Sequence, residues 1–74
     1  MTKENTLKIS VIGLGYVGLP LAVEFGKILP TIGFDINPQR IQELNKGIDH
    51  TLEVDQKELK KANFLSFTVN TEEI

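Results

Sequence analysis

The feature that most constrains the fold of this chain is the run Gly13-Leu14-Gly15-Tyr16-Val17-Gly18, which follows directly on Leu7-Lys8-Ile9-Ser10-Val11-Ile12. A short, β-branched apolar run halted by glycine reads as a buried strand. Beyond the glycines, Val17, Leu21, Ala22 and Phe25 recur at helical spacing, which predicts a helix from about Gly15 to Lys27 with those residues inward. Pro20 lies early enough in that helix for its missing N–H to matter little. A strand, a glycine turn and a helix in immediate succession leave the unpaired N–H groups of the helix start facing outward.

The remainder continues the same alternation. Thr31-Ile32-Gly33-Phe34-Asp35-Ile36 reads as a second strand, and Asn37-Pro38 as an N-cap followed by proline at the first helical position. Ile41 and Leu44 form the inner face of that second helix, and Gly47 stops it. Asp55-Gln56-Lys57-Glu58 has capping-box form with Val54 and Leu59 at the staple positions, which predicts a short helix from Gln56 to about Ala62. Leu65, Phe67 and Val69 alternate with polar residues as a third strand, and Thr71-Glu72-Glu73 reads as the first turn of another helix. Strand, helix, strand, helix, strand is α/β: a three-stranded parallel half of a doubly wound sheet. Right-handed crossovers place the strands in the order third, second, first. Residues 1–6 are expected to form a flexible tail, and residues 7–74 the N-terminal half of a dinucleotide-binding domain whose second half is not in this sequence.

Composition removes several function classes. The chain has 74 residues and no cysteine, so it holds one small domain and has no thiol nucleophile, disulfide or thiolate metal site. Hydrophobic content of 41% beside 24% charged residues fits a soluble globular domain. A net charge of −2 gives no reason to expect nucleic acid or an anionic membrane surface. The uncharged stretch Ile9–Val23 follows two lysines as a secretory signal would, but it is too short to span a bilayer and glycines interrupt it. It reads as strand plus helix in a cytoplasmic protein.

G-x-G-x-x-G alone is a weak signal. Here it lies within a strand–helix–strand unit and Asp35 ends the second strand 22 positions after Gly13, which is the dinucleotide fingerprint in its full context. Gly13 makes the sharp turn, Gly15 lets backbone approach a pyrophosphate, and Gly18 lets helix and sheet pack closely. Asp35 is placed to accept hydrogen bonds from an adenosine ribose and to repel a 2′-phosphate, which favours NAD over NADP; flavin sites share the glycine pattern. Arg40 either neighbours the adenosine end or sits on a solvated helix position. Tyr16 either lies near the cofactor or packs. His50 reads as an exposed loop residue, Glu53 as the loop carboxylate to watch, and Lys57, Lys60 and Lys61 as a solvated helix face.

The string Gly15-Tyr16-Val17-Gly18-Leu19-Pro20, set in Lys8–Ala22, closely resembles the N-terminus of the UDP-glucose/GDP-mannose dehydrogenase family, as do Gly33-Phe34-Asp35-Ile36-Asn37 and Arg40-Ile41. Gly47-Ile48-Asp49-His50-Thr51-Leu52-Glu53-Val54, followed by Glu58-Leu59, looks most like the bacterial branch acting on UDP-N-acetylhexosamines, which serves surface-polysaccharide synthesis. The resemblance implies an NAD-dependent oxidation of a sugar 6-hydroxymethyl group to a carboxylate, through a cysteine that this sequence lacks. It carries over Gly13, Gly15 and Gly18 at the pyrophosphate, Asp35 at the ribose, Arg40 near it, and Tyr16 and Val17 as backbone contacts. The chain is therefore expected to bind NAD or its adenosine half, to meet a UDP-sugar only in a full-length enzyme, and to be inactive alone. A free-standing nucleotide-binding module and a part of another NAD-dependent dehydrogenase are the alternatives. The 7–12 strand, with one edge lacking a neighbour, is expected to pair with a second copy.

Overall fold

The computed structural model describes residues 8–73, and its elements follow one another as β1 (Ile9–Ile12), α1 (Gly18–Gly26), β2 (Thr31–Phe34), α2 (Pro38–Asn45), α3 (Gln56–Lys61), β3 (Leu65–Thr68) and a closing 3₁₀ turn (Thr71–Glu73). The expected tail, residues 1–6, lies outside the described residues, as does Leu7. The three strands are parallel in the order β1-β2-β3, with Ile9 beside Thr31 and Thr31 beside Leu65. This is the βαβαβ half-sheet that the alternation of elements requires. β2 stops at Phe34 and β3 at Thr68, so Ile36 and Val69, expected within strands, lie past their ends and are exposed.

Local chemistry fixes the helix boundaries. The Asn37 side chain accepts the Gln39 N–H at 3.0 Å, with proline at the first helical position, so α2 starts where a donor would otherwise be orphaned. Gly47, at φ 82°, adopts the left-handed conformation that ends it. Asp55 accepts the Glu58 N–H at 3.0 Å at the start of α3. Glu58 itself pairs with Lys27, the C-cap of α1 (2.8 Å), and with Lys61 (3.2 Å), so its carboxylate ties the end of α1 to α3. The segment Thr71–Glu73 forms a 3₁₀ turn capped by Asn70, whose side chain accepts the Glu72 N–H at 2.9 Å.

The inward face of α1 differs from the expected one. Leu19, Ala22, Val23 and Gly26 are buried, whereas Val17, Leu21 and Phe25 are exposed. The helix is apolar nearly all round, so spacing alone fits either set. Small residues decide between them. A Cβ on Gly18 would lie 1.7 Å from the Gly13 carbonyl oxygen, and one on Gly26 would lie 2.6 Å from Leu65 Cβ. Gly18, Ala22 and Gly26 therefore form the only stripe along which this helix can approach the turn and the sheet so closely.

The core gathers Leu14, Leu19, Ala22, Val23, Ile41, Leu44, Val54 and Ala62, with Val11, Leu59, Leu65 and Phe67 packed against it. Its strand residues Val11, Leu65 and Phe67 all lie on one side of the sheet, as does Gly33, whose missing side chain makes room for Leu14. The opposite side, formed by Ser10, Ile12, Ile32, Phe34, Ser66 and Thr68, lies outside that cluster. β1 is not the buried strand expected from its sequence: Ser10 and Ile12 are exposed, because among the described residues the core helices pack on the other side of the sheet.

The glycine stripe yields a test. Leu19 is fully buried and Leu21 is 47% exposed, so Leu19→Ala is expected to cost about 2–5 kcal/mol and Leu21→Ala under about 1 kcal/mol. Urea unfolding followed by circular dichroism checks the difference; equal losses would place Leu21 in the core after all.

Candidate functional site

The turn between β1 and α1 is built from three glycines with three different physical reasons. Gly13 has φ +91°, a conformation that side-chain-bearing residues rarely adopt, and its N–H donates to the Phe34 carbonyl at 2.8 Å. Gly18 is required by the contact with the Gly13 carbonyl. Gly15 is different. Its φ is not positive, and a Cβ added there would meet nothing within 4 Å. Nothing in the described chain demands glycine at position 15, so the space beside it is open to something else.

The backbone N–H donors of the turn beside that space are unused. None of the N–H groups of Gly15, Tyr16, Val17 and Gly18 finds an acceptor among the described residues, and Val17, at the N-cap, makes no side-chain cap. Four successive free donors at the positive end of a helix dipole form an anion-binding surface. Tyr16 and Val17 are exposed there, so Tyr16 does not pack in the core. A cavity of about 230 Å³ lined by Leu44, Gln56, Leu59, Ala62, Leu65 and Phe67 contains no residue of the turn, and it has none of these donors.

Asp35 follows β2 and stands beside the turn. Its Oδ2 accepts the Leu14 N–H at 2.9 Å, and its Oδ1 accepts the Asn37 N–H at 3.0 Å. Each carboxylate oxygen retains a lone pair, so two acceptor positions stay available in a fixed orientation. A vicinal diol is the chemical partner for two such acceptors.

Arg40 is neither solvated nor free. It is 5% exposed, its Nε–H donates to the Leu14 carbonyl at 2.7 Å, and Nη1 donates to Glu43 at 2.7 Å and Asp49 at 2.8 Å. Nη2 is buried without a partner among the described residues. Burial opposes the Arg40 charge, but the bonds it donates to Glu43 and Asp49 outweigh it and hold the pKa above its ordinary value. Two carboxylates, Glu43 and Asp49, already accept from the Arg40 guanidinium, so its charge is met within the chain.

Asp49 is the residue that sequence reasoning passed over. Its side chain is fully buried and accepts from Arg40, from the Thr51 hydroxyl (2.6 Å) and N–H (3.0 Å), and from the N–H groups of Glu53 and Val54 (both 3.0 Å). Burial disfavours the charge, yet the bonds from Thr51, Arg40 and the Val54 N–H bring the pKa down from 3.8 to about 2. A depressed pKa means this stabilisation is present above pH 3.8 and is lost as pH falls through about 2. The signal available in the sequence was Asp49 two residues before Thr51, an Asx-turn pattern, but its pairing with Arg40 across nine positions was not legible. His50 is 67% exposed and its Nδ1 contacts Glu43, and Glu53 is exposed, its N–H donating to Asp49. Lys57, Lys60 and Lys61 are exposed on α3.

Residues 7–74 match the UDP-glucose/GDP-mannose dehydrogenase family, NAD binding domain. A UDP-N-acetyl-D-glucosamine 6-dehydrogenase of Pseudomonas aeruginosa is 65% identical over 68 residues, 92% of this chain and 16% of that protein. The corresponding enzyme of Salmonella typhi is 56% identical over 70 residues, 95% of this chain and 16% of that protein. Among solved structures, a UDP-D-ManNAc dehydrogenase from Pyrococcus horikoshii superposes with a TM-score of 0.77 at 35% identity, covering 90% of this chain and 17% of that one. The chain thus spans about a sixth of the length of the relatives it matches.

The three reasons for glycine make separable predictions. Gly18→Ala is expected to destabilise the fold by about 3 kcal/mol or more, since backbone must move to admit it. Gly15→Ala is expected to leave stability unchanged or raise it by up to about 1 kcal/mol while weakening ADP-ribose binding about tenfold. Thermal melts with and without ADP-ribose measure both; a Gly15→Ala protein that binds like the wild type would show that the space beside Gly15 serves no ligand.

Proposed function

This chain belongs to the UDP-glucose/GDP-mannose dehydrogenase family, and we propose that it forms the adenosine-binding half of the NAD site of an enzyme that oxidises a UDP-N-acetylhexosamine to the uronic acid, in polysaccharide biosynthesis. The single observation that carries the binding reading is Gly15: a glycine with no conformational or packing reason of its own, beside four unused N–H donors. A pyrophosphate seated against Gly15–Gly18 supplies that reason. Gly13 and Gly18 shape the turn, Tyr16 and Val17 contribute backbone N–H groups, and Asp35 receives the ribose diol. Arg40 serves the site through the Leu14 carbonyl and not by offering a charge to the cofactor. When bound, NAD supplies the hydride acceptor of the oxidation. The N-acetylhexosamine assignment is supported by the names of the two bacterial relatives given above.

The same reading says what this chain does not do alone. It has no cysteine, whereas the family chemistry runs through a thiol, and it spans about a sixth of its relatives. We therefore expect no NADH formation from NAD with UDP-N-acetylglucosamine, UDP-N-acetylgalactosamine or UDP-glucose. In calorimetry, ADP-ribose should bind within about threefold of NAD, because the contacts proposed here all lie on the adenosine and pyrophosphate side. Asp35→Ala should weaken both about tenfold. Turnover, or NAD binding far tighter than ADP-ribose, would overturn the assignment.

A second proposal concerns association. Among the described residues β1 has a neighbour on one side only, its end residue Ile12 is 68% exposed, and Val17, Leu21, Phe25 and Ile28 leave apolar surface along and beside α1. An apolar, β-branched edge pairs readily with another copy. An antiparallel pair about a two-fold axis matches its hydrogen bonds, and light scattering should find dimers that Ile12→Lys abolishes. Because Val11 packs against the core, substitution there would confuse association with unfolding. A monomer at high concentration would sink this proposal.

A further inference from the structure

We propose that Asp49, acting through Arg40, is a positioning residue for pyrophosphate binding: the buried pair fixes the Leu14–Gly15 peptide so that the Gly15 N–H points into the ligand space. The inference rests on the reading of the glycine turn given above and adds a cause for its shape.

Leu14 is held at three points. Its N–H donates to Asp35, its carbonyl accepts from Arg40 at 2.7 Å, and its buried side chain fills the space left by Gly33. A peptide unit is planar, and in the trans form its C=O and N–H point in opposite directions. The carbonyl of Leu14 and the N–H of Gly15 belong to one such unit. By holding the carbonyl inward, Arg40 turns the Gly15 N–H outward, away from the core and toward the open side of the turn. No other side chain bonds to that peptide unit among the described residues.

Arg40 depends in turn on Asp49. The guanidinium spans from the glycine turn to the loop after α2, and Asp49 is immobilised there by Thr51, Glu53 and Val54. Burying this pair is costly, since Arg40 Nη2 goes without a partner among the described residues and an apolar side chain of similar volume fills such space more cheaply. A local packing role accounts for neither the charge nor the direction of the Nε–H bond. A fixed peptide orientation at the ligand accounts for both. Preorganised donors bind without reorganising when the ligand arrives.

Nuclear magnetic resonance on the labelled chain tests this, with ADP as the pyrophosphate probe and adenosine as the probe lacking it. In the wild-type chain, ADP should shift the Gly15 N–H together with the Leu14 carbonyl and the Arg40 Nε–H, and the Arg40 Nε–H should exchange slowly. Asp49→Asn and Arg40→Met should weaken ADP about tenfold and leave adenosine within about twofold. Folded variants that bind ADP like the wild type would overturn the proposal. If neither variant folds, the wild-type spectrum decides: an Arg40 Nε–H that exchanges freely, or stays unmoved while Gly15 shifts, overturns it equally. ADP that leaves every amide from Gly13 to Gly18 unmoved would instead defeat the reading of the glycine turn, and this inference with it.

Discussion

The contact between Gly18 and the Gly13 carbonyl is the constraint on which the rest of the structure depends. A side chain at position 18 would sit 1.7 Å from that oxygen, so the helix could not start where it does. Because it does, α1 lies close along the sheet, and its N-terminal donors emerge beside the end of β1. The same stripe continues through Ala22 to Gly26, whose carbonyl accepts the Phe64 N–H at 2.9 Å and so ties the end of α1 to the approach to β3. One steric requirement therefore sets both the packing of the half-sheet and the exposure of the candidate ligand surface.

The second organising element is electrostatic. Arg40 and Asp49 are buried charges in a domain whose core consists of few side chains. Buried ion pairs are weak contributors to net stability but very costly to break singly. Their effect is to specify position: Asp49 closes the loop after α2, Arg40 reaches from α2 to the turn, and Asp35 meets the turn from β2. Asp35 and Arg40, 21 and 26 residues on from Leu14, thus converge on it, with Asp49 behind Arg40.

Packing is uneven across the sheet. Helices cover one side, where Val11, Gly33 and Phe67 meet Leu14 and the helix residues; Ile12, Ile32 and Phe34 lie on the other. Apolar burial stabilises a domain of this size only narrowly.

The sequence by itself determined the order of elements, the parallel half-sheet, the helix starts at Asn37 and Asp55, and the glycine turn with Asp35. All of these follow from local rules: strand patterning, capping chemistry, and φ or close-approach demands that glycine meets. Tertiary structure alone decided which face of α1 turns inward, because an almost uniformly apolar helix carries no usable periodicity and the choice falls to Gly18 and Gly26 against their neighbours. It also decided the role of Arg40. A lone arginine on a helix reads as solvated or ligand-facing, and only its partner Asp49, nine residues away on a loop, makes it a buried brace. Pairings of that kind depend on where the chain returns in space, which local sequence does not encode.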